Sequence, residues 1–325
     1  MEIKQNEVYT PQEAQVLLKI SSSTVTRMIK KGLIRTAKVG KQYRILGKEL
    51  LRILSPELED GVGKAYNRAR RWVHEGVEKD FGFDNSSPRT MKIFVMIQAR
   101  FNSKRLPGKV LLEAKGRPLL SYVVERIREC RTVEGFLVAT SREPSDEAIA
   151  KYCQRTGIPC FRGSLDDVAA RFLEAARSQG LGAFARICAD SPWIDFRIVD
   201  EAVNRFRAGF YDLVSNVVKR TYPKGESVEV IRVDALERAS PSFESSEDRE
   251  HVTPYFYRHP ELFKIESLKL EGENLSSVNL CVDDRESYRS FVRVLERMER
   301  PSVEYPWREI VALWKESSDG MALRR

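Results

Sequence analysis

Residues 93–109 read IFVMIQARFNSKRLPGK. Five apolar side chains in a row, Ile93 to Ile97, run into a polar stretch closed by Pro107-Gly108. That pattern predicts a buried strand feeding a loop. The loop carries Arg100, Lys104, Arg105 and Lys109, with Asn102 and Ser103 between them. Such a group of cations at the end of a buried strand suits a ligand with several negative charges. A triphosphate is the plainest candidate, because guanidinium forks match phosphate oxygens and lysine adds a point charge. A solvated basic surface loop is the alternative.

Outward from this stretch, apolar runs alternate with helical patterns. Strands are expected at 92–98, 135–140, 158–161 and 183–188, and helices at 118–129, 145–156 and 166–178. The alternation predicts an α/β domain with a mostly parallel sheet, whose ligand crevice lies at the carboxyl ends of the strands. The second strand ends in Thr140-Ser141, the third leads into Phe161-Arg162-Gly163-Ser164, and the fourth ends at Asp190-Ser191-Pro192-Trp193-Ile194-Asp195. A carboxylate after a buried strand is well placed to hold a magnesium ion shared with phosphates. A later apolar segment, Val278 to Val282, ends at Asp283-Asp284. If that segment is a strand beside the fourth, Asp190 and Asp283 face one ion. The competing role for each aspartate is a helix N-cap, which is the reading adopted for Asp195 and Asp284.

The chain is 325 residues long, 42% hydrophobic and 31% charged, so two or three soluble domains are expected. No apolar run is long enough to cross a bilayer, and the first residues lack the apolar core of a signal peptide, so the expected location is the cytoplasm. The five cysteines (Cys130, Cys153, Cys160, Cys188, Cys281) form no CxxC pair, which argues against a zinc site or a disulfide framework. The net charge is +8, and in residues 1–54 eleven Lys and Arg face four Asp and Glu. The excess therefore sits at one end, which points to a polyanionic partner for that piece.

Within that piece, Thr10-Pro11-Gln12-Glu13 is a helix start, with a threonine cap and a glutamate placed for a capping box. Ala14, Val16, Leu17 and Leu18 supply an apolar face. Ser21-Ser22-Ser23 opens a second helix, Thr24 to Lys31, which Gly32 ends. Residues 33–45 predict two short strands around Gly40-Lys41, and Lys48 to Leu54 a short closing helix. The order resembles the excisionase and MerR-type helix-turn-helix family. It is carried by Tyr9-Thr10-Pro11-Gln12-Glu13-Ala14, Ser23-Thr24-Val25, Ile29-Lys30-Lys31-Gly32-Leu33-Ile34 and Lys38-Val39-Gly40-Lys41-Gln42-Tyr43-Arg44-Ile45. It departs at Lys19, where the family has a glycine. The resemblance implies a winged helix-turn-helix with DNA as partner: Ser23, Thr24 and Arg27 on bases or phosphates, and Lys38, Lys41 and Arg44 on the backbone from the wing. Val25, Met28 and Ile29 are expected in its core. A small module docking onto protein is the alternative. Residues 55–90 read as a partly helical linker, with Ala65, Ala69, Trp72 and Val73 on one helical stripe. The expected domains are therefore 1–54, 55–90 and 91–325.

The larger piece carries Ile97-Gln98-Ala99-Arg100, Ser103, Arg105-Leu106-Pro107-Gly108-Lys109-Val110, Val138-Ala139-Thr140-Ser141, Phe161-Arg162-Gly163-Ser164 and Arg186-Ile187. Asp190-Ser191-Pro192, Asp195, Val228-Glu229-Val230, Arg249-Glu250-His251-Val252-Thr253-Pro254-Tyr255 and Val282-Asp283 follow in order. These motifs resemble the cytidylyltransferase family that includes the spore coat polysaccharide biosynthesis protein F group, whose relatives activate acidic sugars such as sialic acid and Kdo as CMP conjugates. The resemblance implies a nucleotide-diphosphosugar transferase fold with a mixed sheet. It implies phosphate binding by Arg100, Ser103, Arg105 and Lys109, magnesium on Asp190 and Asp283, and Thr140, Ser141 and Arg162 near base and ribose. It also implies an acceptor pocket with Glu229, Arg249 and His251. Two departures stand out: Cys188-Ala189-Asp190-Ser191-Pro192 replaces Thr-Gly-Asp-Cys-Pro, and Ser227 replaces the aspartate of Gly-x-Asp-Val-Glu. Glu226 is one residue off, hence on the opposite face of a strand.

The expected activity is transfer of CMP from CTP to an acidic sugar, with Arg105 and Lys109 as the catalytic cations, in surface polysaccharide synthesis. Family likeness and the habit of helix-turn-helix modules favour a homodimer. Two other readings compete with it: a DNA-binding regulator whose transferase-like domain senses a nucleotide or sugar, and a glycosyltransferase using a nucleotide-sugar through Asp190.

Overall fold

The structure is a computed structural model. It describes residues 7–18, 25, 26, 28, 29, 34, 36–39, 42–47, 50 and 91–322, in two compact units, Met1–Asp80 and Phe81–Arg325.

In the first unit, helix α1 (Pro11–Leu18) starts on the expected capping box. The Thr10 N–H donates to Glu13 Oε2 at 2.7 Å, and the Glu13 N–H to Thr10 Oγ1 at 3.3 Å. Strand β1 (Val8–Tyr9), which the sequence pattern did not suggest, pairs antiparallel with β3 (Gln42–Leu46), and β3 pairs with β2 (Thr36–Val39). The core holds Tyr9, Ala14, Val25, Ile29, Ile34, Ile45 and Leu50, with Leu17, Leu18 and Met28 packed on it. Val16 is 64% exposed, because the α-helical period turns it away from the stripe of Ala14, Leu17 and Leu18. Lys38 lies in β2 opposite Tyr43, and Arg44 lies in β3. Ser23, Thr24, Arg27 and Lys41 lie outside the described residues, as do most of the expected second helix and the linker at 55–90.

The second unit is a three-layer sandwich. Beside a small hairpin of β5 (Glu113–Ala114) and β6 (Arg117–Pro118), its seven-stranded sheet has the order β12-β10-β11-β9-β4-β7-β8. The parallel centre comprises β9 (Ala183–Cys188), β4 (Ile93–Gln98), β7 (Gly135–Ser141) and β8 (Cys160–Gly163). Beyond it, β11 (Glu229–Arg232) runs antiparallel to both β9 and β10 (Leu213–Ser215), and β12 (Ile265–Ser267) runs parallel to β10. The sheet is mixed, as the family resemblance implies.

Alternation along each strand sorts the side chains between two cores. Ile93, Val95, Ile97, Ala185 and Ile187 face one layer, formed by α2 (Leu119–Ile127), α3 (Glu147–Thr156), α5 (Phe196–Ala208), α9 (Arg285–Glu296) and α10 (Trp307–Ala322). Met96, Leu137, Phe184, Leu213 and Ile231 face the other, formed by α4 (Val168–Gln179), α6 (Val233–Ala239), α7 (Ser246–His251) and α8 (Pro254–Arg258). Asp195 and Asp284 are N-caps as expected. Asp195 accepts the Arg197 N–H at 2.9 Å, and Asp284 forms a capping box with Ser287.

One expectation is corrected. Val278–Val282 is not a strand beside β9 but extended chain, with an isolated bridge at Asn279. A backbone bond, Val282 N–H to Asp190 O at 2.8 Å, ties it to the end of β9. Among the described residues no helix is long and apolar enough to cross a membrane.

Candidate active site

The cationic loop leaves β4 with its course fixed by its own residues. Leu106 and Val110 are buried in the core and anchor it. Gly108 takes a left-handed backbone (φ 71°) against the Phe101 ring, where an added Cβ would lie 3.0 Å from a ring carbon. That turn sets the direction of Lys109, which opens a short 3-10 turn, Lys109–Leu111. Asp146 is fully buried and accepts the Phe101 N–H at 2.7 Å and the Ser141 N–H at 3.0 Å. One carboxylate thus joins the loop after β4 to the end of β7. Bonds of this charged kind contribute about 1.5–3 kcal/mol each.

Arg105, Lys109, Asp190 and Asp283 meet in one cluster. The Lys109 ammonium donates to Asp190 Oδ2 at 2.6 Å and to Asp283 Oδ1 at 2.9 Å. The Arg105 guanidinium reaches Asp283 Oδ2 at 3.0 Å. Burial by itself would lower the Lys109 pKa, but the charges and hydrogen bonds of Asp190 and Asp283 outweigh it and hold it above the ordinary lysine value. Burial would raise the Asp283 carboxyl, yet Lys109 and Arg105 hold it below the usual aspartate value. The Ser287 hydroxyl accepts the Asp283 N–H at 2.9 Å, so the α9 cap also fixes the backbone that carries this carboxylate.

The other expected phosphate, base and ribose groups lie around the ends of β4, β7 and β8. Arg100 pairs with Glu250 of α7 at 2.8 Å. Ser103 is half-buried in the loop. Arg162 spans the turn after β7, donating to Ser141 O at 2.9 Å and Glu147 Oε2 at 2.5 Å. Thr140 is fully buried and its Oγ1 lacks a partner, as does Nε of buried Arg171, which packs against Gly163. Burial pushes the Arg171 guanidinium down to about 10, so it stays charged at neutral pH.

Residues 94–300 match the model of the family described as cytidylyltransferase. The chain belongs to the cytidylyltransferase family. Residues 8–55 match the model of a helix-turn-helix domain. A Methanocaldococcus jannaschii protein, the uncharacterized protein MJ1063, is 34% identical over 220 residues, 66% of this chain and 87% of that one. The spore coat polysaccharide biosynthesis protein SpsF of Bacillus subtilis is 29% identical over 242 residues, 71% of this chain and 98% of that one. Among solved structures, a cytidylyltransferase from Leptospira borgpetersenii superposes with a TM-score of 0.66 at 27% identity, covering 70% of this chain and 96% of that one.

In this cytidylyltransferase the expected acceptor residues do not converge on one point. Glu229 is buried beside β9. It receives Arg186 Nη1 at 2.5 Å, the Thr253 hydroxyl at 2.6 Å and the Tyr257 hydroxyl. Arg186 also donates to Gln98 Oε1 at 3.0 Å. Burial raises the Tyr257 pKa, and the adjoining Glu229 charge adds to it. Arg249 turns away to Asp167 Oδ2 at 3.0 Å and Phe243 O at 3.0 Å, and His251 is exposed. Between His251 and Thr253, Val252 holds a left-handed backbone (φ 70°), which is rare for a β-branched residue. Glu226 does not stand in for the missing aspartate. It is fully buried and accepts the Asp195 N–H at 2.8 Å, while Arg220 donates to Ser227 Oγ at 3.1 Å.

Sequence reasoning gave no role to Asp146, Arg186, Tyr257 or Arg171. Arg186 had a signal: a charge inside the apolar run Ala183–Cys188 must find a partner when buried. Asp146, inside Pro144-Ser145-Asp146-Glu147, had none beyond that of a helix cap.

The carboxylate pair has donor chemistry suited to a divalent cation. Asp190 Oδ2 and Asp283 Oδ1 converge on one positive charge, the Lys109 ammonium, with the hard oxygen donors that such ions prefer. No group of three or more His, Cys, Asp or Glu suited to a metal exists among the described residues. Two carboxylates do not complete the six-fold oxygen shell of such an ion, so any divalent ion held here would take its other ligands from outside the protein.

Proposed function

We propose that this cytidylyltransferase moves CMP from CTP to a hydroxyl of an acidic sugar or related acceptor, with magnesium held by Asp190 and Asp283. The observation that carries this is the Lys109 contact with both aspartates, with Arg105 alongside on Asp283.

The acceptor oxygen forms a bond to the α-phosphorus. The bond from that phosphorus to the oxygen bridging it to the β-phosphate breaks, pyrophosphate leaves, and the hydroxyl proton passes to water. Lys109 and Arg105 neutralise the charge growing on pyrophosphate, a task of positioning and electrostatics that needs no covalent intermediate. Magnesium, when bound, supplies Lewis-acid polarisation of the phosphates. Arg100 and Ser103 flank the phosphates. Thr140, Ser141 and Arg162, at the ends of β7 and β8, lie on the side of base and ribose. Glu229, fixed by Arg186, Thr253 and Tyr257, borders the acceptor. Likeness to the spore coat polysaccharide protein supports a role in surface glycan synthesis.

The test is CTP-dependent pyrophosphate release with a panel of acidic sugars. Release that Asp190→Ala abolishes is expected; turnover unchanged in that variant contradicts the reading.

The helix-turn-helix match and the basic first 54 residues favour a second activity, DNA binding by the first unit as part of a homodimer. Fluorescence anisotropy with duplex DNA should show affinity that falls steeply with salt. No binding at low salt, with or without CTP, removes it.

A further inference from the structure

Three of the four carboxylate oxygens in the cluster are engaged by cations. Lys109 takes Asp190 Oδ2 and Asp283 Oδ1, and Arg105 takes Asp283 Oδ2. Asp190 Oδ1 faces the Ser191 hydroxyl at 3.5 Å. Two negative charges are thus balanced by two positive ones, in a setting where only 11% of the Lys109 side chain is exposed. A divalent ion entering alone would compete with Lys109 for the same two oxygens and leave the cluster with uncompensated positive charge. A triphosphate reverses the balance. Its oxygens offer Lys109 a new partner, and its excess negative charge needs the divalent ion. The long lysine stem allows that exchange, since its ammonium is a rotatable point charge rather than a fixed fork.

We infer that Lys109 is an internal counter-ion that excludes free divalent metal from Asp190 and Asp283 and yields the place only to metal arriving with a nucleoside triphosphate. The inference rests on the metal reading proposed above. It makes Lys109 the residue that sets the order of binding, in addition to its contact with phosphate.

The test uses Mn2+ as probe and the full chain, with the electron paramagnetic resonance signal of free Mn2+ as readout. Wild-type protein without nucleotide should leave that signal nearly untouched. Lys109→Met should bind Mn2+ without nucleotide at least tenfold more tightly than wild type, and adding Asp190→Asn should abolish that binding. Should Lys109→Met fail to fold, wild type decides the matter through water-proton relaxation, which the protein should enhance in Mn2+ solutions only when CTP is present. Asp190-dependent binding of Mn2+ by wild type without CTP, as tight as that of the variant, overturns the inference and leaves the metal site standing. If neither Lys109→Met alone nor wild type with CTP binds Mn2+ through Asp190, the metal reading itself fails, and the inference with it.

Discussion

Two clusters in the same unit bring a long cation to a pair of acidic side chains, and they differ in what surrounds the charges. In the first, Lys109 and Arg105 meet Asp190 and Asp283 in a partly open crevice, where Arg105 is 64% exposed. In the second, Arg126 lies fully buried near Asp195 and Glu226. Its guanidinium spends its donors on backbone carbonyls: Ile194 O at 2.7 Å, Ser302 O at 2.6 Å and Tyr305 O at 2.8 Å. Asp195 Oδ2 accepts the Trp307 N–H at 2.8 Å. The second cluster is a strut that ties the chain before α10 to the α2 and α5 layer. The first meets only other side chains, so its partners can be exchanged for a ligand. Residue type does not separate a site from a strut here; the separation lies in whether the backbone has consumed the donors.

The largest break in this comparison should come from the strut. Arg126→Met strips three buried carbonyls of their donor and leaves Glu226 without the guanidinium that faces it, and should cost about 3–5 kcal/mol of stability. Chemical denaturation checks this, and a loss under 1 kcal/mol would mean that the strut is idle. Next, Asp190→Ala should lower turnover about 10²–10³-fold or more, as expected when a group that organises transition-state charge is removed, with the melting temperature nearly unchanged. A large stability loss in that variant would erase the distinction between the clusters.

A smaller effect, dependent on pH, sharpens the strut. Arg126 already faces Asp195 at 3.9 Å, and Glu226 adds a second acid in full burial, which raises its pKa well above 4.5 despite the opposing pull of Arg126. The folded protein keeps the Glu226 proton after the unfolded chain has lost it. The stability tied to that proton is therefore complete below pH 4.5 and declines as pH rises toward the folded pKa, by about 1.4 kcal/mol per unit. Glu226→Gln lacks this decline. Its melting temperature relative to wild type should rise as pH increases above 4.5, and a difference that stays flat with pH would refute the assignment. The smallest effect belongs to Arg249→Ala. Half-exposed and paired with Asp167, it should cost about 0–1 kcal/mol of stability. Loss of acceptor saturation in that variant would return Arg249 to the pocket.

The first cluster was legible in the sequence because its cations lie in one short loop and its aspartates follow apolar runs. The caps at Thr10, Asp195 and Asp284 were legible because N-caps are local. The sheet beyond β9 was not: β11 inserts antiparallel between β9 and β10, and no local periodicity records that choice. The Val278–Val282 run looked like a strand because it is apolar, but its burial comes from packing extended chain beside the site rather than from a ladder. Arg249 looked like an acceptor ligand from its motif, whereas its partner Asp167 lies 82 residues earlier in the chain. Pairings at that distance are set by tertiary structure alone.

The most direct measurement is calorimetric titration of CTP, with magnesium, into wild type and Lys109→Ala. The account predicts that removing this ammonium weakens CTP at least a hundredfold while the protein stays folded. Equal affinities in the two proteins would contradict it, because Asp190 and Asp283 would then face a cation with no part in holding the nucleotide.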